Sequence, residues 1–365
     1  MFESFKVMKR GQLENSFRYF LLVVLIFWFA VTVYSQVDTV RASNLEPGQD
    51  AEKFYNSGIS DYSAKNYQAA LNDFNQAIGL KADFDLAYLN RGNTKMELKD
   101  SKGAISDFDK AILINANNDN AYFSRAQAKY SIGDKQGAGM DYAKTIELNG
   151  NNAQAYYYNA GLKFENSDYK GALSDYDKAI MLKPDYAYAY NDRGSAKREL
   201  EDYPGAILDY TKAITLNSEM AFAYNNLGSI YRKTGEYKKA IDFYTKAIGI
   251  KKNYYLAYNN RGSAKYDMKD YRSAVEDFSA AINIKSDYSF AYNNRSAAKY
   301  KLKDYKGATE DASMAIKYND KYGYAYLNRG IAKEMMRDES ACKDWEMAGK
   351  LGVEQGKNYA ASCDK

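Results

Sequence analysis

From Ala51 onward the sequence copies itself every 34 residues, eight times without a gap and a ninth time one residue short, as far as Gly352. Such a period is the signature of one supersecondary unit copied and stacked, and it leaves no room for a separate catalytic domain. With positions numbered 1 to 34, the copies occupy 51–84, 85–118, 119–152, 153–186, 187–220, 221–254, 255–288, 289–322 and 323–352. Position 4 is always aromatic, from Phe54 and Tyr88 to Tyr326, and position 8 is small: Gly58, Gly92, Ala126, Ala160, Gly194, Gly228, Gly262, Ser296 and Gly330. Position 20 is alanine in the complete copies (Ala70 to Ala308), position 24 is mostly aromatic (Phe74 to Phe278), and position 27 is alanine or Thr145. The spacings 4-8-11 and 20-24-27 each trace one face of an α-helix, so each copy is predicted to be an antiparallel helix pair and the array all-α.

The punctuation agrees. Position 16 reads Asn66, Asp100, Asp134, Asp168, Asp202, Glu236, Asp270, Asp304 and Asp338, a column expected to cap the second helices. Pro204 follows its cap within the first helical turn, where a missing N–H costs little. Asp83, Asn117, Asn151, Asp185, Asn253 and Asp287, at position 33, are expected to cap the next first helix in the same way.

These residues resemble the tetratricopeptide repeat family, whose pattern asks for an aromatic at 4, Gly or Ala at 8, Ala at 20, an aromatic at 24, Ala at 27 and often Pro at 32. The match covers about four fifths of the chain. Two columns depart from the pattern: proline at 32 survives only as Pro184, and the usual tyrosine at 11 only as Tyr231, the others being mostly lysine. The resemblance implies a right-handed α-solenoid of about nine hairpins whose concave face, lined by first helices, binds proteins or peptides. Residues 353–365 are expected to form a C-terminal capping helix.

Ahead of the array, Tyr19 to Val37 carries no charge and follows Lys6, Lys9, Arg10 and Arg18. A basic head, an apolar run and the small-residue exit Val33-Tyr34-Ser35 read as a signal peptide over 1–35. An uncleaved signal anchor is the rival reading, since about 20 apolar residues span a bilayer. Either one predicts an exported protein of a bacterial envelope, periplasmic or on the outer surface, released or attached to the membrane through residues 19–37, with 36–50 as a tether. Cys342 and Cys363 then read as a disulfide pinning the tail to the last repeat, worth about 3 kcal/mol on the chain-entropy model.

The chemistry classes narrow quickly. The chain has no histidine, which removes the commonest general base, every Ser-His or Cys-His nucleophile and every histidine metal site. Two cysteines alone make no structural zinc site, so no metal, cofactor or catalytic residue is assigned. A net charge of +4, of which +2 lies in residues 1–35, is too balanced for a nucleic-acid partner.

The candidate site is the face of the first helices. Positions 2, 6, 9 and 13 centre about 165° from the face that meets the second helix. Position 6 holds Asn56, Asn90, Asn226, Asn260, Asn294 and Asn328, broken by Ser124, Tyr158 and Asp192. An amide offers donor and acceptor to an extended peptide whatever its side chains. This row resembles the asparagine ladder in the tetratricopeptide domain of O-GlcNAc transferase; none of that enzyme's catalytic domain is present. The competing reading has the same amides bonding neighbouring first helices. Position 2 adds Tyr188, Phe222, Leu256, Phe290 and Tyr324, large faces that suit peptides or, alternatively, an envelope glycan. Position 12 (Tyr62, Tyr130, Phe164, Tyr266, Tyr300) is expected to pack between repeats. Arg at 7 and Lys at 11 look like a ligand clamp, but they vary together with Asp at 23, and the sixth repeat replaces them with Leu227, Tyr231 and Phe243. Paired charges between the two helices are therefore predicted, at about 0–1 kcal/mol each if partly exposed. The function expected is a non-catalytic scaffold holding an extended partner segment.

Overall fold

The computed structural model describes residues 49–363, all of whose regular structure is helical. The signal or anchor segment and residues 36–48 of the tether lie outside the described residues. Gln49 and Asp50, read above as the end of the tether, are the first residues of a helix. Among the described residues no helix is long and apolar enough to cross a membrane.

Two compact units divide at Leu182. The first holds four hairpins: α1 (Gln49–Ser63) with α2 (Tyr67–Leu80), α3 (Asp85–Glu97) with α4 (Ser101–Ile114), α5 (Asp119–Ser131) with α6 (Lys135–Leu148), and α7 (Ala153–Glu165) with α8 (Tyr169–Leu182). The second holds five: α9 (Ala187–Glu199) with α10 (Tyr203–Leu216), α11 (Ala221–Lys233) with α12 (Tyr237–Ile250), α13 (Tyr255–Asp267) with α14 (Tyr271–Ile284), α15 (Ser289–Lys301) with α16 (Tyr305–Tyr318), and α17 (Gly323–Met335) with α18 (Ala341–Lys350), closed by the short α19 (Glu354–Ala360). Within each unit every helix packs on its sequence neighbours, and successive first helices also touch directly. This is an α-solenoid, and the reason is burial: a lone hairpin leaves an apolar face that only the next copy covers.

The hairpin closes on one contact. Where position 8 is glycine the ring at position 24 lies on its bare backbone, so a Cβ on Gly92 would sit 2.5 Å from the Phe108 ring and one on Gly262 2.8 Å from Phe278, while Ala126 and Ala160 hold that position opposite Tyr142 and Tyr176. Phe74, Phe108 and Tyr210 are fully buried there. In the fifth and sixth repeats, where the ring is tyrosine, a serine at position 9 meets its hydroxyl: Ser195 Oγ lies 3.1 Å from Tyr210 Oη, and Tyr244 donates to Ser229 at 3.2 Å. In the eighth repeat the ring is lost to Ala312, and position 8 grows to Ser296, which donates to the Ala308 carbonyl at 2.7 Å. The ninth repeat recovers its ring one residue early, as Trp345 against Gly330. The alanines at 20 and 27 are sealed, and so is an alanine column at position 3, Ala87 to Ala325, that packs one repeat on the next.

Two capping expectations need correction. At position 16, Asp100, Asp134, Asp168, Asp202, Asp270 and Asp304 do accept from the backbone N–H three residues on, but Asn66 and Glu236 make no such bond, and Asp338 yields the cap position to Ser340. The first helices are capped at position 34 rather than 33, and among the described residues only Asn118 and Asn152 do so with side chains. Large residues such as Tyr186, Met220 and Tyr288 take that position elsewhere because burying them between repeats outweighs a cap worth about 1 kcal/mol. The turn is held instead from position 31, where Asn115, Asn149, Asn217 and Asn319 accept from the N–H two residues on. The turn inside each hairpin passes through a left-handed residue at position 15, glycine at Gly133 and Gly235 but lysine at Lys65, Lys99, Lys269 and Lys303.

The ring-on-backbone contact makes a quantitative expectation. Gly262→Ser alone should destabilise the second unit by about 1–3 kcal/mol through overpacking, and Phe278→Ala alone by about 3–5 kcal/mol through a cavity. Together they rebuild the Ser296/Ala312 solution, so denaturant titration of the double variant should show a cost well below the sum; strict additivity would count against the interlock.

Candidate partner-binding faces

The basic residues at 7 and 11 are consumed inside the hairpin. Arg91 grips Asp107 with two nitrogens, at 2.9 and 2.6 Å, and Lys95 reaches the same carboxylate at 2.7 Å. The same triad recurs as Arg125/Lys129/Asp141, Arg193/Lys197/Asp209, Arg261/Lys265/Asp277, Arg295/Lys299/Asp311 and Arg329/Lys333/Asp344. Each guanidinium also lies over the position-4 tyrosine of its own helix, 5.2 Å from the Tyr88 ring centre and 5.5 Å from that of Tyr258. Its remaining nitrogen often reaches back to the preceding second helix, as Arg91 does to Asn75 at 2.8 Å and Arg295 to Ser279 at 2.9 Å. Hydrogen bonding to Asp277 raises the affinity of Arg261 for its proton, against the opposing effect of burial.

The pairing predicted from sequence is therefore present, but its energetic setting differs. The carboxylates are only about 4–5 % exposed, so these are not surface bridges. Removing both cations of a triad strands a buried carboxylate, at a cost of about 3–5 kcal/mol, whereas loss of the arginine alone leaves it paired with lysine. The sixth repeat shows the apolar substitute: Tyr231 stacks on Phe243, ring centres 5.3 Å apart and planes 4° apart, with Leu227 buried beside the hairpin. The fourth repeat is intermediate, with Asn159 and Lys163 on Asp175.

The amides at position 6 are half consumed. Asn226 donates to Asn191 Oδ1 at 3.1 Å, Asn260 to Asn225 at 3.0 Å, Asn294 to Asn259 at 3.0 Å and Asn328 to Asn293 at 2.9 Å. Each bond joins position 6 of one repeat to position 5 of the one before. The acceptors Asn191, Asn225, Asn259 and Asn293 are buried, a second column that the sequence reading passed over. Its signal was the paired asparagines at 225–226, 259–260 and 293–294. Among the described residues the Oδ1 atoms of Asn226, Asn260, Asn294 and Asn328 accept nothing further, and each amide is partly exposed. In the first unit Asn90 spends its amide hydrogens on Tyr55 Oη and the Leu86 carbonyl, while Asn56 is exposed. In the fourth repeat, where the column is broken, Tyr158 stacks on Tyr142 at 5.7 Å and meets Phe123 and Tyr157.

The position-2 side chains are half-buried and run along the same face. Tyr188 stacks on Phe222 at 5.9 Å, Phe290 lies 4.8 Å from Tyr322, and Tyr324 packs near Tyr322 as well. Position 12 mostly closes its own hairpin instead of bridging repeats. Tyr62 meets Tyr67, Phe164 meets Tyr169, Tyr266 meets Tyr271 and Tyr300 meets Tyr305, because the second helix opens with tyrosine just across the turn. Tyr130 is the bridging member, donating to Glu165 at 2.8 Å. Cys342 and Cys363 are bonded, holding the end of the tail near Leu327 and Trp345. Among the described residues no group of three His, Cys, Asp or Glu side chains is arranged to hold a metal ion.

Family models of the tetratricopeptide repeat match residues 221–254, 86–118 and 255–288. Among solved structures, the Cut9–Hcn1 hetero-tetramer of the APC/C is similar at 13% identity and TM-score 0.56, covering 95% of this chain and 82% of that one. A tetratricopeptide repeat protein from Parabacteroides merdae ATCC 43184 is similar at 16% identity and TM-score 0.55, covering 68% of this chain and 99% of that one. YrrB, described as a TPR protein with an unusual peptide-binding site, is similar at 24% identity and TM-score 0.42, covering 50% and 95%. No curated protein matches the chain.

The triads predict a rescue. Arg261→Ala/Lys265→Ala, which leaves Asp277 without a cation, should destabilise the second unit by about 3–5 kcal/mol in urea titration. The swap Arg261→Leu/Lys265→Tyr/Asp277→Phe, which copies the sixth repeat, should return most of that stability. A double substitution without effect on unfolding would show that the triads do not support the fold.

Proposed function

We propose, from the premise that this chain belongs to the tetratricopeptide repeat family, that it is a non-catalytic scaffold whose first-helix face in the second unit holds an extended segment of a partner protein. The observation that carries the reading is the division of labour among polar groups. The arginines and lysines that could have clamped a ligand are taken up within hairpins, whereas the amides of Asn226, Asn260, Asn294 and Asn328 keep hydrogen-bonding capacity on an accessible face. Bonding to the preceding helix does not compete with this role. It fixes the orientation of each amide in advance, which lowers the entropy lost on binding. Asn56 and Asn90 belong to the first unit and are not part of this face.

The reading includes residence in the cell envelope, with the segment 19–37 serving as signal or anchor. Its support is the basic head and apolar run of the sequence together with the closed Cys342–Cys363 bond, which suits an oxidising compartment. A glycan ligand is the weaker reading, because Tyr188 and Phe222 stack on each other, Tyr324 meets Tyr322 edge-on, and only part of their faces is left for a sugar.

A photo-crosslinker at position 222 or 290 and pull-down from envelope extract test the proposal. Capture of a discrete protein by the otherwise wild-type chain is expected, with at least a tenfold loss in Asn226→Ala/Asn260→Ala/Asn294→Ala. Equal capture by both would remove the amides from the site, and recovery of polysaccharide in place of protein would favour the glycan.

A further inference from the structure

We infer that the segment held on the second unit is a polyproline II helix read in three-residue steps, one backbone N–H per repeat. This rests on the scaffold reading above and adds the conformation and sequence period of the occupant.

The rungs set a ruler. Asn226, Asn260, Asn294 and Asn328 occupy the same position on four successive first helices, and each bonds directly across to the helix before it. Helices in such contact are about 8–10 Å apart. A polyproline II helix advances about 3.1 Å per residue with three residues per turn, so it presents the same edge about every 9.3 Å. A β-strand returns to the same face every two residues, about 6.7 Å, and its next return at about 13 Å overshoots. Only the threefold helix meets every rung alike.

The free atoms of each rung add a sequence rule. The Oδ1 atom accepts, so it needs a backbone N–H every third residue, which proline lacks. One turn before each asparagine lies a large apolar side chain: Phe222, Leu256, Phe290 and Tyr324. They form a second row with the same spacing, half-buried and backed by the rings of Tyr188 and Tyr322. Aromatic ridges of this kind pack against proline rings in known polyproline recognition. Rows of amide and aromatic together therefore select a segment with prolines at two of every three positions or fewer, and never at the third.

Fluorescence anisotropy with the full chain tests this using three labelled 15-residue peptides: (Ala-Pro-Pro)5, all-proline, and alternating Ala-Pro. The first offers an N–H on every turn, the second none, and the third one on the same edge only every second turn. At least tenfold tighter binding of (Ala-Pro-Pro)5 than of all-proline is expected, with alternating Ala-Pro between them. The preference should vanish in Asn226→Ala/Asn260→Ala/Asn294→Ala; should that variant lose its helical circular dichroism, Asn328→Ala alone should reduce it severalfold. Equal affinities, no binding of (Ala-Pro-Pro)5, or a preference that survives loss of the amides would overturn the inference. If the crosslinked partner of the preceding section is still captured in an asparagine-dependent way, only the polyproline register falls. If that capture fails as well, the scaffold reading falls with it.

Discussion

A large ring laid on a small residue sets the dimensions of most hairpins in this protein. Position 24 meets position 8 so closely that no side chain fits between Phe108 and Gly92, or between Phe278 and Gly262. That approach decides how far the two helices of a hairpin stand apart. It thereby places Arg at 7 within bidentate reach of Asp at 23 and lets the alanines at 3, 20 and 27 disappear from solvent. The eighth repeat shows that the constraint is volume and not identity, because Ser296 opposite Ala312 fills the same space.

Consuming the charges inside hairpins has a consequence for recognition. The six arginine–lysine–aspartate triads look from sequence like a basic stripe, and in space each is an internal ion pair with a buried carboxylate. At positions 2 and 6 of the last four repeats what remains is neutral: amides with spare capacity beside half-buried rings. A neutral face of this kind reads backbone and shape more than charge, and its contacts add along the repeats.

Most of the architecture was legible because its determinants are local and repeated nine times. Helix pairing, the small-against-large contact and the covariation of positions 7, 11 and 23 all show in columns of the sequence. What escaped were choices decided by packing. The first helices are capped at position 34, one residue later than expected, and at Tyr186, Met220 and Tyr288 burial overrode capping chemistry. The tyrosines at 12 turned onto their own hairpins because the next helix opens with another tyrosine, as Tyr266 does onto Tyr271. In the candidate site, the row at position 6 was visible, but the buried acceptors Asn191, Asn225, Asn259 and Asn293 were not. A column of asparagines announces hydrogen bonding without saying which partner is protein and which is left for a ligand.

Hydroxyl-radical footprinting of the full chain with its captured partner compares the two faces in one experiment. Loss of labelling should fall on Phe222, Phe290 and Tyr324, while Leu208, on the outward side of a second helix of the same unit and 71% exposed, should react as before. Protection of Leu208 with unchanged reaction at the position-2 rings would place the partner on the second helices and contradict the assignment made here.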